Sequence, residues 1–218
     1  MDFNQILDIV IPATLQTLYM VSVSSIIAVI LGLPLGIILT ITREDGISPS
    51  NYIYTFLSTV INVFRAIPFA ILIIILLGLS RLIVGKIIGP TAFIVPLTIG
   101  SIPFVARIME SYFLDMDKGF IEAAKAMGST NKQIIFKVMI PETIPMIING
   151  VVMTIINIIG YSAMAGFIGG GGLGEIALRY GHQRREYTIL WISVILMVLI
   201  VQIVQVIGNY LNKKTNKK

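Results

Sequence analysis

Five long apolar runs, at about residues 15–42, 52–79, 88–108, 143–168 and 187–211, constrain this chain more than any single motif does. A helix that crosses a bilayer needs roughly 20 mostly apolar residues. It must be a helix, because hydrocarbon offers no water to satisfy an open backbone. Each run meets the length. Only 12% of the 218 residues are charged, against about 25% in a soluble domain, and the mean hydropathy is +0.92. The sequence therefore predicts an all-α membrane protein: one domain over 1–218 with five transmembrane helices. Between the runs lie TREDGISPS (42–50), SRLIVGKIIGP (80–90), a longer polar stretch over 109–142, and GGGGLGEIALRYGHQRRE (169–186).

Lys and Arg report orientation, since cytoplasmic segments carry their excess. With the C-terminal tail inside and five spans, nine cations fall inside: Arg43, Lys118, Lys125, Lys132, Lys137, Lys213, Lys214, Lys217 and Lys218. Five fall outside: Arg81, Lys86, Arg179, Arg184 and Arg185. Arg65 and Arg107 sit in or beside spans and are not counted. The balance predicts an outside N-terminus and a cytoplasmic C-terminus, with 109–142 cytoplasmic and 169–186 external. The basic tail fixes topology and meets anionic lipid, so a pI near 9.5 is not read as a nucleic-acid signal. No Lys or Arg precedes Arg43, so the positive start of a secretory signal is missing and the N-terminus reads as mature sequence.

The residue inventory argues against several chemistries, with an ion-driven secondary transporter kept as the rival reading. There are no cysteines, which excludes thiol chemistry, and with a single histidine, His182, no protein-built metal site is expected. A membrane-bound enzyme would lack a catalytic constellation, and the site residues include none of a catalytic kind. An ion-driven transporter or channel needs carboxylates within its spans, whereas Glu110, Asp115, Glu122 and Glu142 read as lying at span ends or in loops. No internal repeat is visible, and an odd number of spans cannot divide into halves. Transporters commonly place substrate at a repeat interface. A second copy is then expected to supply the other half, with the pathway on a two-fold axis.

The segment GFIEAAKAMGSTNKQIIFKVMIP (119–141) reads as soluble protein set in a membrane chain. Glu122 to Met127 are good helix formers, and Gly128 is a helix stop. Thr130 and Gln133 have capping-box spacing, so a second helix is expected from Asn131 to a stop at Pro141. Ala123, Ala124 and Ala126 give the first helix a small-residue face that another protein's groove could approach. Read blandly, the segment is a helical hairpin on the membrane surface. Its order nevertheless resembles the EAA loop of binding-protein-dependent ABC importer permeases: Glu122-Ala123-Ala124, then Gly128, then Val138-Met139-Ile140-Pro141. Val138 and Ile140 stand where the family more often has Ile and Leu.

That resemblance implies a type I ABC importer-like permease in a bacterial inner membrane. It implies that Glu122, Ala123, Ala124, Lys125, Gly128, Ser129, Thr130 and Pro141 form a coupling element. This element seats on two copies of a separate ATP-binding subunit, which use ATP and magnesium. The chain has no GxxxxGK[ST] phosphate loop, so no cofactor is expected on it. An external substrate-binding protein would deliver cargo.

Within the runs, Arg65 and Pro68 suggest a bent helix along the pathway; alternatively, residues 51–64 lie at the interface and Arg65 meets headgroups. Asn157, Tyr161 and Met164 recur on one face of the fourth span, with Ser162 beside them, and could line a channel or bond a partner helix. Gly32 and Gly36 form a small-xxx-small pattern. Gly169, Gly171 and Gly174 match a dinucleotide fingerprint by spacing, but follow a membrane helix rather than a strand; a tight turn at the outer mouth is expected instead. The segments Arg65-Ala66-Ile67-Pro68-Phe69, Asn149-Gly150 and Tyr161-Ser162-Ala163-Met164-Ala165-Gly166 resemble the methionine-uptake branch of these permeases. Methionine, either enantiomer, is the cargo so implied; another amino acid or a small peptide is the alternative. Met164, with its flexible thioether, would suit a gate.

Overall fold

The computed structural model describes residues 2–215, of which the Phe3 side chain is not described; Lys217 and Lys218, counted in the charge balance, lie outside them. The described residues form helices joined by short loops and contain no strand. The helices are α1 (Phe3–Thr42), α2 (Asn51–Ala66), α3 (Phe69–Val84), α4 (Pro90–Leu114), α5 (Lys118–Ala126), α6 (Asn131–Ile134), α7 (Ile140–Phe167), α8 (Gly172–Ile176) and α9 (Tyr187–Thr215). Two π-helical segments, Ile135–Met139 and Ala177–Gln183, join α6 to α7 and extend α8. Four helices are long and apolar enough to cross a membrane: Asn4–Thr42, Pro90–Leu114, Asn131–Phe167 and Tyr187–Thr215. The bent pair α2 and α3 completes a fifth span if taken together.

Two expectations are corrected here. The second run is not one continuous helix, because α2 and α3 are bent by 108° at the break between them. The cause is local: Ile67 leaves the helical region (ψ 123°), as a residue before proline tends to, and Pro68 caps α3. The apolarity of 52–64 misleads because α2 leaves Tyr52, Phe56 and Val63 exposed while burying Ile61. The second correction is at Pro141. Chain from Asn131 to Phe167 forms one continuous 37-residue helix. A proline inside a helix normally orphans a carbonyl, but the π segment pairs one residue further along, with Ile140 N–H donating to the Ile135 carbonyl. Such an insertion absorbs the missing donor without a break.

The core is built on the parallel pair α1 and α4, the most extensive helix pairing in the fold. Its closeness comes from glycine. A Cβ on Gly32 would stand 2.6 Å from Val105 Cβ, and one on Gly36 2.8 Å from the Ala106 carbonyl oxygen. The Gly32–Gly36 pattern therefore packs α1 on a helix of the same chain, which is a role the dimer reading does not need. Phe93, Leu97, Met109, Ile134, Met139 and Ile158 continue this core from α4 into α7.

Candidate functional site

At one end of the molecule, α5 and α6 form a hairpin that local chemistry specifies residue by residue. The Asp117 carboxylate accepts from Gly119 N–H at 2.9 Å and caps α5. Gly128 ends it in the left-handed region (φ 76°), with Gly128 N–H donating to the Lys125 carbonyl and Ser129 N–H to the Ala124 carbonyl. These two bonds form a Schellman closure. Thr130 N–H then donates to Gln133 Oε1 at 2.8 Å, and Gln133 N–H to Thr130 Oγ1 at 3.4 Å, completing the capping box that the sequence predicts. Glu122, Ala123, Lys125, Ala126 and Met127 are exposed. Ala124 is not: it is buried, within the same core as Ile134 and Met139, and so closes the hairpin instead of joining a presented small-residue face. Pro141 is exposed at the start of α7.

The hairpin is tied to the loop between α1 and α2. Lys118 Nζ lies 2.9 Å from Asp45 Oδ2, Asp45 also pairs with Arg43 at 3.0 Å, and Asn131 Nδ2 donates to the Ile47 carbonyl at 3.4 Å. The hydrogen bond from Lys118 holds the Asp45 carboxyl below its usual range. A cavity of about 120 Å³ between loop and α5 is lined by Asp45, Lys118, Glu122 and Lys125 among others.

Along α7, Met153, Gly160 and Met164 are exposed and Asn157 and Tyr161 half-buried, so Asn157, Tyr161 and Met164 stand on a face left open by the protomer. Tyr161 stacks on Phe69 at the start of α3, ring centroids 3.7 Å apart and planes within 10°. Ser162 is buried and its hydroxyl donates to the Ile159 carbonyl, which places it in the interior and off that face. Asn149 accepts from Asn212 Nδ2 at 2.9 Å and joins α7 to α9. Arg65 and Pro68 are both exposed at the α2–α3 elbow.

The glycine segment at the other end is more than a turn. Gly169, Gly171 and Gly172 have positive φ, and the chain then folds back as α8 and its π extension. Gly172 N–H donates to Gln16 Oε1 and Leu173 N–H to Thr17 Oγ1 on α1, at 2.8 and 2.9 Å. A Cβ on Gly174 would collide with the Ala163 carbonyl oxygen, so the run is buried between α1 and α7. The solvent-facing part is Arg179 and His182 to Arg185.

Sequence reasoning misses a polar knot beside the elbow. Arg107 on α4 donates to Glu110 at 2.6 Å and to Ser58 Oγ and Asn62 Oδ1 of α2, both at 2.9 Å. Glu110, read from the sequence as a span-end acid, is 2% exposed inside α4. Its carboxylate is paired with Arg107. The signal was present: Arg107 and Glu110 are spaced i, i+3, and Ser58 and Asn62 i, i+4, in otherwise apolar runs.

A helical membrane protein with a rigid, exposed hairpin continuous with one of its spans is built for work done at its surface and felt within. The chain belongs to the family of binding-protein-dependent transport system inner membrane components, whose model matches residues 32–217. It is 45% identical over 211 residues to the probable D-methionine transport system permease protein MetI of Vibrio cholerae, covering 97% of this chain and 94% of that protein. It is 42% identical over 206 residues to the methionine import system permease protein MetP of Bacillus subtilis, covering 94% and 93%. Its fold superposes with a TM-score of 0.96 at 37% identity, over 100% of both chains, on a chain of the MetNI methionine ABC transporter solved in inward-facing conformations.

Proposed function

We propose that this chain is the permease subunit of an ATP-driven importer of methionine in a bacterial inner membrane, two copies of it enclosing the pathway. The N-terminus lies outside and the C-terminus inside. Residues 109–142 are cytoplasmic, and the hairpin, through Glu122, Ala123, Lys125, Gly128, Ser129, Thr130 and Pro141, docks one ATP-binding subunit per protomer. Those subunits use ATP and magnesium; this chain makes and breaks no bond. The segment 169–186 faces outside, where a substrate-binding protein delivers cargo.

The observation that carries this reading is the continuity of α6 with α7. A push on the hairpin becomes a rigid displacement of the helix bearing Asn157, Tyr161 and Met164. The open face of α7 supports its place on the two-fold axis, with Met164 as the gate and Arg65 and Pro68 at the elbow beside it. ATP binding and hydrolysis supply the free-energy difference between inward-facing and outward-facing states, which no ligand of equal affinity for both could shift. The cargo assignment rests on relatives named as methionine permeases across most of their length.

The test is uptake into proteoliposomes that hold the chain with its ATPase and binding protein. Labelled methionine should accumulate only with ATP, and unlabelled methionine should compete where other amino acids and small peptides do not. Accumulation on an ion gradient without ATP refutes the class, and competition by a different amino acid refutes the cargo.

A further inference from the structure

The hairpin has two rigid routes into the membrane domain. One is direct, through α6 into α7 and on to Tyr161. The other starts at the opposite end of α5, where only the residues Asp115 to Asp117 separate it from α4. Two turns up α4 from that junction sits Arg107, whose guanidinium grips Ser58 and Asn62 on α2. Ser58 and Asn62 lie one turn apart on the same face of α2, and the buried Ile61 packs against Leu39 and Ala106 beside them. From Asn62 the chain runs through Arg65 to the 108° elbow and enters α3 at Phe69. Phe69 stacks on Tyr161. The two routes leave opposite ends of the hairpin and meet again on one pair of rings.

We infer that Arg107 is a positioning residue for transport: it pins α2 to the end of α4, so that displacement of the hairpin reaches the Phe69–Tyr161 pair from both sides together. This rests on the reading of the hairpin as the ATPase-coupling element. Arginine suits the place because its planar fork makes several directed bonds at once, which a lysine cannot reproduce. Glu110 anchors the fork. A carboxylate buried in a membrane segment is costly unless paired, so the 2.6 Å bond to Arg107 holds the guanidinium in the orientation that reaches α2. The side of Arg107 facing α4 keeps the charge satisfied, and the side facing α2 carries the motion.

That division gives a test separating transmission from folding. The double variant Ser58→Ala/Asn62→Ala removes the α2 side and leaves the buried ion pair intact; Arg107→Lys weakens both. Each is reconstituted with the ATPase and binding protein, and ATP hydrolysis and labelled methionine uptake are measured on the same proteoliposomes. Hydrolysis should stay within about twofold of wild type while methionine imported per ATP falls at least about tenfold, a typical size for coupling between sites. A structural role alone lowers both rates together, or prevents assembly, and leaves the ratio unchanged. An unchanged ratio in the double variant overturns the proposal even if Arg107→Lys fails to assemble. Wild type without any ATP-dependent uptake overturns the reading beneath it as well, which tells the two failures apart.

Discussion

The chain reverses or turns sharply at two places that are built differently. At the α5–α6 hairpin, every bond that makes the turn lies within a few residues: Asp117 to Gly119, Gly128 to Lys125, Ser129 to Ala124, Thr130 to Gln133. At the α2–α3 elbow, Pro68 only permits the turn. What holds the two arms at 108° is distant in sequence: Arg107 on one arm, Tyr161 on the other. The hairpin can therefore move as a preformed body, whereas the elbow reports the positions of α4 and α7. The two prolines make the same point. Pro68 caps a new helix after Ile67 has left the helical region, whereas Pro141 lies within a continuous helix behind a π segment.

If the elbow depends on distant contacts, removing one should cost most. Phe69→Ala should destabilise the protein by on the order of 3 kcal/mol, as large-to-small changes at buried aromatics do, and thermal unfolding in detergent reads it. A change near zero would mean that proline alone sets the elbow. Gly128→Ala forces a side chain into the left-handed region and should cost about 1–2 kcal/mol. That cost should appear as faster amide exchange confined to 118–139. Thr130→Ala removes the cap and should cost about 1 kcal/mol, with the same local exchange signature and no effect at α3. Pro141→Ala, on an exposed site within a helix already continuous, should stay within about 0.5 kcal/mol; a larger loss would show that the π segment depends on that proline. Smallest of all is the tether. Asp45 has its pKa lowered by Lys118, so its contribution is present above the ordinary carboxylate value and fades as pH falls through the lowered one. Exchange in 43–50 should quicken only at acid pH, and modestly, because exposed pairs are screened.

The hairpin was legible because its determinants are local. The Gly128 stop, the Thr130–Gln133 box and the small exposed residues can be read from adjacent letters. Apolar runs likewise gave the spans, although α1 begins near Phe3 and α4 runs on to Leu114, past the polar residues that had seemed to end them. What sequence could not supply is the choice of partner. Gly32 and Gly36 announce close packing without saying that α4 is the helix that approaches. The buried fold of the glycine run depends on Gln16 and Thr17, more than 150 residues away. Alanine at 124 looks like its neighbours at 123 and 126, and only the turn angle of α5 puts it inside. The Arg107 knot joins two helices, α2 and α4, on each of which its residues alone look like polar exceptions.

The central claim is that the hairpin is where an ATPase subunit takes hold. The direct measurement compares wild type with Glu122→Arg and Gly128→Trp, once both are shown to insert and dimerise, for retention of the ATPase on purification and for ATP-driven methionine uptake. Beyond its chain neighbours no atom lies within 4 Å of a Cβ on Gly128, so apart from backbone strain the tryptophan meets only what docks there. Both substitutions should release the ATPase and abolish uptake. Retention of the ATPase with undiminished uptake would reduce the hairpin to a surface ornament of the membrane domain and contradict the account.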